Sequence, residues 1–291
     1  MKKRGFTIVE LLVVVSLIAV VMALLLPAMQ RSRQDARRVQ CKNSLKQFGL
    51  ALHNYHDTFL VFPPGWVSRE GAPGVGARIG WQTFILPFVD QAPLYNQIDF
   101  NKPPHEADGK PRQAFLTFLP LYRCPVDPAP DLNTLRGGYA TSNYSGNYGD
   151  VPPPRLRPLG LGDFWPGAVD APMKSRGIFA RNSSVGIRDI TDGTSNTFLV
   201  GERGFASGAG IWVGVTDNAH EDDTLTDCSH RSRLNAGWSS YSSRHGGGVH
   251  MLMCDGAVRF VGEAIESKSA PELGTFQKLG CKNDGQVIGE F

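Results

Sequence analysis

The sequence predicts an α+β protein in which a long N-terminal transmembrane helix continues into a loop-rich, antiparallel β head. Three observations support this prediction. A nearly unbroken apolar stretch occupies residues 6–29, and apolar residues at helical spacing continue to about His56. Beyond that point, short runs of β-forming residues alternate with turn residues. The chain has 33 Gly and 20 Pro, but 41% of its residues are hydrophobic, which is typical of a folded protein with many loops.

Residues 6–29 predict a membrane span, preceded by a short basic leader at residues 1–5. As a helix, this stretch would be roughly 36 Å long, enough to cross a hydrocarbon core of about 30 Å. Its one charged residue is Glu10, and a lone carboxylate in hydrocarbon is costly and usually marks a function. Pro27 has no N–H to donate, so it predicts a break or kink where the span ends.

Residues 30–57 predict a helix that continues the span outside the membrane. Its apolar stripe consists of Val39, Leu45, Phe48, Leu52 and Tyr55. Basic residues follow the span directly and suit lipid headgroups, acidic neighbours or a simply solvated helix face; they are Arg31, Arg33, Arg37, Arg38, Lys42 and Lys46. The net charge of +3 is too small to indicate a nucleic-acid partner.

Residues 58–291, here called the head, predict loops followed by short strands. The candidate strands are residues 177–180, 185–190, 196–202, 211–215, 250–254 and 257–261. The last two flank Asp255-Gly256, which predicts a hairpin closed by a two-residue type I′ turn. A capping box at residues 269–272 then predicts a short helix that ends at Gly280.

Three interpretations of the N-terminus follow from the residues. An ordinary signal peptide fits poorly, because the apolar run is long, carries Glu10 and lacks a small-x-small cleavage site. A plain signal anchor would give Gly5 and Glu10 no role. The segment Lys2-Lys-Arg-Gly-Phe-Thr-Ile-Val-Glu-Leu-Leu12 instead resembles the processing motif of type IV prepilins and type II secretion pseudopilins.

That resemblance implies a role for three residues. A prepilin peptidase would cut between Gly5 and Phe6 and methylate the new amino group of Phe6. Glu10 would be the carboxylate near the mature N-terminus, one helical turn from that amino group in the same subunit or in a filament neighbour. Other pilin-like subunits and inner-membrane lipid are the further partners that the resemblance implies.

A narrower resemblance covers nearly the whole chain. His245 is separated from Asp255-Gly256 by nine residues, and this H-x9-DG signature together with the N-terminal motif is similar to a prepilin-like family best known from planctomycete bacteria. Supporting segments are residues 41–47, 52–56, 62–65 and 189–197. The resemblance implies a pilin-like lollipop held in the bacterial inner membrane by a single pass. The N-terminus would be cytoplasmic before cleavage, and the head would be periplasmic.

Several residues of the head are candidates for binding sites or crosslinks. Asp189, Asp192 and Asn196 cluster oxygen atoms around a glycine turn, a composition that calcium accepts, although the same residues also suit a simple turn. A disulfide between Cys41 and Cys124, which would tie the helix to the head, is a hypothesis. The five cysteines fit no CxxC pair and no Cys/His zinc spacing, so we expect no structural metal site, and their odd number leaves one thiol free or paired between chains.

Three functions remain open on the sequence. The leading hypothesis is a subunit of a type II secretion or type IV pilus-like assembly. The second is a membrane-tethered extracytoplasmic binding protein that carries the prepilin signal but does not polymerise. The third is a secreted hydrolase built from His245, His250, Asp255 and the serines at 239, 240, 242 and 243, but no G-x-S-x-G motif surrounds these serines. We therefore expect a protein that is not an enzyme and needs no cofactor.

Overall fold

The computed structural model describes residues 8–68, 76–151, 175–216, 223–269 and 271–289. The predicted cleavage site, Gly5 and Phe6, lies outside these residues. The chain divides into two compact units, Met1–Gln40 and Cys41–Phe291. Helix α1 spans Ile8–Phe59 and contributes residues to both units, which are described separately below.

The first unit consists of the N-terminal part of α1. All described side chains of residues 8–37 are exposed, including the long run of Leu, Val and Ile. By length and composition this helix can cross a membrane. The helix continues through Pro27, so the predicted break is wrong, and the alternative, a kink, stays a prediction. A proline removes only one hydrogen bond from the helix, and the leucines and alanines around Pro27 are strong helix formers.

The second unit begins with the remainder of α1. Cys41, Leu45, Phe48 and Leu52 have no exposed surface, so one face of this helix is buried in the core. The predicted stripe is correct from Leu45 onward, and Tyr55 is partly buried against the same core. Its first member is wrong, because Val39 is 55% exposed and Cys41 takes the buried position.

The core of the second unit contains two β-sheets. The larger has the order β6-β3-β4-β7-β8 and the smaller the order β1-β2-β5. The strands are β1 Leu132–Asn133, β2 Tyr139–Ser142, β3 Tyr144–Gly149, β4 Phe198–Glu202, β5 Gly210–Ile211, β6 Leu225–Asp227, β7 Gly248–Met253 and β8 Val258–Gly262. All pairings are antiparallel except that of β3 with β6, so the α+β class is confirmed and the larger sheet is mixed.

Among its described residues, the second unit also has four short α-helices: α2 Trp81–Phe84, α3 Ala92–Tyr95, α4 Gly109–Phe115 and α5 Thr275–Gly280. The predicted C-terminal helix does end at Gly280, but it begins at Thr275. Its cap is Gly274, whose N–H donates to Gln277 Oε1 at 3.0 Å, and not the predicted serine. The core between sheets and helices is aromatic, with Trp66, Trp81 and Trp212 fully buried.

The predicted strands are partly correct. Residues 196–202, 250–254 and 257–261 correspond to β4, β7 and β8 within a few residues. Of residues 211–215 only Ile211 lies in a strand. Residues 177–180 form no named strand, and residues 187–189 within 185–190 form a 3-10 helix capped by the Asp189 carboxylate, which accepts from Gly186 N at 2.8 Å.

The β7–β8 hairpin is confirmed, but its turn differs from the prediction. The N–H of Gly256 donates to the carbonyl of Met253 at 3.0 Å, and Gly256 has a φ of 81° while Asp255 has no positive φ. A type I′ turn needs positive φ at both central residues. The hairpin therefore closes with a turn over residues 253–256 in which glycine alone takes the left-handed conformation. The Asp255 carboxylate accepts from Ala257 N at 2.8 Å.

Candidate functional site

Four ionisable side chains from distant parts of the sequence meet inside the second unit. We call this group, Cys41, Cys124, Glu202 and His245, the thiol–histidine cluster. Their sulfur, oxygen and nitrogen atoms all lie within 4.8 Å of one another. Cys41 comes from α1, Glu202 from the end of β4, and the other two from loops, so only the folded chain forms this site.

The two cysteines are held by their local structure. Cys41 begins the buried face of α1. Cys124 follows a short 3-10 helix at Pro120–Tyr122, and its N–H donates to Asn143 Oδ1 at 3.0 Å while its carbonyl accepts from Asp127 N at 3.0 Å. Their Sγ atoms are 2.6 Å apart and both are free thiols. The structure thus brings the predicted disulfide partners together without a bond, and their pairing stays a prediction.

Glu202 and two histidines form the polar half of the site. Glu202 Oε2 accepts from the backbone N of His250 at 2.8 Å and lies 3.1 Å from His250 Nδ1. Glu202 Oε1 lies 3.2 Å from His245 Nε2, and that nitrogen is 3.6 Å from Cys124 Sγ. The side chain of Glu202 is 2% exposed and that of His245 is 3% exposed. Water is therefore largely excluded from these charged groups.

The pKa shifts follow from this exclusion of water and from the close contacts. The contact with Cys41 lowers the pKa of Cys124 to about 6 against the opposing effect of burial, and the same contact raises the pKa of Cys41. Burial disfavours the His245 imidazolium, but Cys124 and Glu202 outweigh it and raise its pKa to about 9. Burial likewise opposes the Glu202 carboxylate, yet the two histidines lower its pKa. The contacts thus favour the Cys124 thiolate, the Glu202 carboxylate and the His245 imidazolium together.

The serines of the hydrolase hypothesis form hydrogen bonds with backbone groups. Ser243 Oγ donates to Gly248 O at 2.8 Å, Ser242 Oγ accepts from Gly204 N at 2.9 Å, and Ser240 Oγ donates to Gly237 O at 2.7 Å. Glu202, and not Asp255, contacts the two histidines. The group of residues that the sequence suggested for catalysis therefore does not come together as expected. Glu202 stands beside the two histidines in place of Asp255.

The residues of the calcium hypothesis also bind backbone groups. The two oxygens of Asp192 accept from Asp284 N at 2.6 Å and Gly285 N at 2.9 Å. Asp189 caps its 3-10 helix, and Asn196 Nδ2 donates to Asp192 O at 3.3 Å. These contacts provide the three side chains with a structural role. Calcium binding at Asp189, Asp192 and Asn196 stays a prediction.

The H-x9-DG signature is divided between two places. His245 enters the thiol–histidine cluster, with its N–H 3.2 Å from Ser243 Oγ, whereas Asp255 and Gly256 form the hairpin turn. Sequence reasoning missed Glu202. The signal that could have found it is a carboxylate that directly follows an apolar strand, Phe198-Leu-Val-Gly-Glu202, because such a strand is expected to be buried to its end.

The first unit supplies the other candidate functional residue. Glu10 lies in the first described turn of α1, within the apolar stretch. The role that the processing motif implies for this carboxylate stays a prediction.

Comparison with known proteins gave two matches. Residues 1–26 match the prokaryotic N-terminal methylation motif, and residues 30–268 match the family described as protein of unknown function (DUF1559). Neither the curated proteins nor the solved structures contain a match. The prepilin-type motif and the apolar helix together indicate a membrane-anchored, prepilin-like protein. Because the second match spans most of the sequence, the chain belongs to the DUF1559 family and carries a prepilin-type N-terminus.

Proposed function

We propose that this protein is a subunit of a type II secretion or type IV pilus-like assembly, released for assembly when a prepilin peptidase cuts between Gly5 and Phe6. One observation carries the proposal. The methylation motif at residues 1–26 overlaps the N-terminal part of the continuous helix α1, where every described apolar side chain from Ile8 to Leu26 is exposed in the single chain. Such a surface requires lipid or other apolar helices around it.

Glu10 gives the proposal a mechanism. After cleavage, Phe6 would present a positively charged amino group one helical turn from the Glu10 carboxylate. A carboxylate in hydrocarbon is costly by a few kcal/mol or more, and a positively charged amino group beside it lowers that cost. In a filament the neighbouring subunit can supply that amino group. Assembly is then favoured by the pair and by packing of the apolar helices.

The same proposal includes the location and the kind of activity. The mature protein would cross the bacterial inner membrane once and hold its second unit in the periplasm. Its function would be structural, through helix packing with other pilin-like subunits, and not enzymatic. Type II secretion and type IV pilus-like systems share this subunit design, and both remain within the proposal.

Mass spectrometry of the mature N-terminus tests the processing step. Protein from cells with the prepilin peptidase is expected to begin at N-methylated Phe6, and protein from cells without it is expected to keep residues 1–5. A mature chain that still begins at Met1 in the presence of the peptidase would identify a plain anchor. A chain that begins near Met29 would identify an ordinary signal peptide. Either result contradicts the proposal.

Crosslinking in cells tests assembly. Glu10→Ala is expected to insert into the membrane at normal levels but to lose the crosslinked ladder of subunits. Val9→Ala, the neighbouring exposed position on the same helix, is the matched control and should assemble normally. If Glu10→Ala crosslinks like the wild type, the protein does not polymerise through this carboxylate, and the membrane-tethered binding protein becomes the better hypothesis.

A further inference from the structure

We propose that the thiol–histidine cluster is a zinc site that is occupied when both of its cysteines are reduced. The four ligand atoms are Cys41 Sγ, Cys124 Sγ, His245 Nε2 and Glu202 Oε1. The assignment is independent of pilus assembly. It rests on the geometry of the cluster, on one incompletely hydrogen-bonded oxygen and on the chemistry of the four donors.

The distances between the donor atoms fit a small tetrahedral ion, with one exception. Around zinc, bonds of 2.0–2.3 Å place a carboxylate oxygen and an imidazole nitrogen about 3.3 Å apart and a sulfur and a nitrogen about 3.6 Å apart. The corresponding distances here are 3.2 Å from Glu202 to His245 and 3.6 Å from His245 to Cys124. Two thiolates on zinc lie about 3.7 Å apart, so the 2.6 Å between Cys41 and Cys124 must widen by about 1 Å as the ion enters.

Glu202 Oε1 is the observation that favours a metal site over a disulfide alone. This buried oxygen forms an ion pair with His245 Nε2 at 3.2 Å, but it receives no well-directed hydrogen bond from any described residue. A buried acceptor that lacks a donor altogether costs about 1–3 kcal/mol, and incomplete hydrogen bonding costs part of that. A bond between the two cysteines would leave Oε1 as it is, whereas a cation among the four side chains would take it as a ligand.

His250 supports the same assignment, because it contacts the Glu202 oxygen that is not a proposed ligand. It holds Oε2 through its backbone N and its ring Nδ1, so the carboxylate is fixed with Oε1 turned toward the two sulfurs and His245. Metal-binding carboxylates and histidines are commonly oriented by such outer contacts, and loss of one typically lowers metal affinity 10–100-fold. His250 is therefore a positioning residue in this proposal.

The chemistry of the four donor atoms indicates which metal the site would bind. Two thiolates and an imidazole favour a borderline-soft ion such as zinc, whereas calcium and magnesium prefer oxygen ligands alone. Zinc binding would release two protons to solvent, one from the Cys41 thiol and one from His245 Nε2, because both ligand atoms must be deprotonated. The two thiolates and the Glu202 carboxylate would then carry three negative charges in the interior, which the cation offsets.

The site would have a structural role. Four protein ligands leave no open position for a substrate, as in structural zinc sites. The ligands are separated by long stretches of sequence, so one ion would connect α1, β4 and two loops of the second unit. This wide separation is also why the cysteine spacing alone predicted no metal.

The test uses the full-length protein in detergent, reduced until all five cysteines titrate as free thiols. After incubation with zinc and removal of the excess, elemental analysis is expected to find one zinc per chain. Cobalt in place of zinc should give a thiolate charge-transfer band and the intense visible bands of a tetrahedral site. A fully reduced protein that retains no zinc, or that binds cobalt with an octahedral spectrum, overturns the proposal.

Matched variants locate the site. Cys124→Ser should lose stoichiometric zinc, whereas Cys281→Ser, which changes a buried cysteine outside the cluster, should keep it. His250→Gln should still bind zinc but 10–100-fold more weakly.

Circular dichroism of each variant checks that it is folded. If Cys124→Ser does not fold, the cobalt spectrum of the wild type alone decides. Zinc retained by folded Cys124→Ser overturns the proposal, as does a Cys41–Cys124 bond that resists reduction in the native protein.

Discussion

At the scale of single residues, Gly256 fixes the geometry of the β7–β8 hairpin. Its φ of 81° is strained for a residue with a Cβ, by roughly 1–2 kcal/mol, although an asparagine tolerates it better. Space is not limiting, because the nearest atom to an added Cβ is His53 Nε2 at 3.7 Å. Gly256→Ala should therefore lower the free energy of unfolding by about 1–2 kcal/mol, and Gly256→Asn by less, as measured by thermal unfolding.

Gly289→Ala is the control for this prediction. An added Cβ there meets no atom within 4 Å and the backbone φ is not in the left-handed region, so its stability should match the wild type. In a unit of this size, 1 kcal/mol corresponds to a shift of about 2–4 °C in Tm. Equal Tm values for Gly256→Ala and Gly289→Ala would show that the turn does not depend on a left-handed residue.

The sequence could predict single residues only where local chemistry singles them out. Asp255-Gly256 predicted a hairpin, and Glu10 was distinct as the one charge in an apolar run. Cys41 and Cys124 could be paired in prediction, but Glu202 could not be added to them. Glu202 reaches the two cysteines because it pairs with Tyr144 between β4 and β3, and such pairing is a property of the folded sheet.

At the scale of elements, the C-terminal part of α1 is held by aromatic contacts. The ring of Phe48 lies 5.0 Å from that of Tyr144, 5.1 Å from Tyr122 and 6.0 Å from Trp81. Phe48→Ala would lose these contacts and leave a cavity, so the free energy of unfolding should fall by about 3–5 kcal/mol. Chemical denaturation of the purified protein measures this change.

Leu50→Ala is the control on the same helix. Leu50 is 64% exposed, so the substitution should change the stability by no more than about 0.5 kcal/mol. The comparison separates loss of core packing from any effect on helix formation, because both positions lie in the same turns of α1. A similar loss in both variants would mean that the buried face of this helix is wrongly assigned.

Strands β2 and β3 were not predicted from the sequence, and the reason is physical. Strands are recognised by alternation or by apolar runs, but all residues of Tyr139–Ser142 and Tyr144–Gly149 are buried, and many of them are small or polar. Their polar groups are satisfied inside the protein. Asn147 Nδ2, for example, donates to Phe198 O at 2.8 Å and Gly280 O at 2.9 Å. Partners so distant in sequence cannot be read from a local pattern.

At the scale of the whole molecule, the two units differ in the exposure of their apolar side chains. The described side chains of residues 8–37 are exposed, whereas the core begins at Cys41. A chain that lacks residues 1–29 would therefore lose its apolar surface but none of the buried residues. We expect it to be soluble without detergent and to unfold within about 2 °C of the full-length protein, a difference worth less than about 1 kcal/mol. Circular dichroism during heating measures both chains.

A longer deletion provides the contrast that makes this prediction specific. Removing residues 1–52 would also remove Leu45, Phe48 and Leu52, each of which is fully buried. Such core side chains contribute about 2–5 kcal/mol apiece, and their sum approaches the 5–15 kcal/mol that stabilises a typical domain. The longer deletion should therefore show no cooperative unfolding transition. If it folds as well as the chain without residues 1–29, the end of α1 is dispensable. If the shorter deletion unfolds instead, residues 8–29 stabilise the second unit despite their exposure.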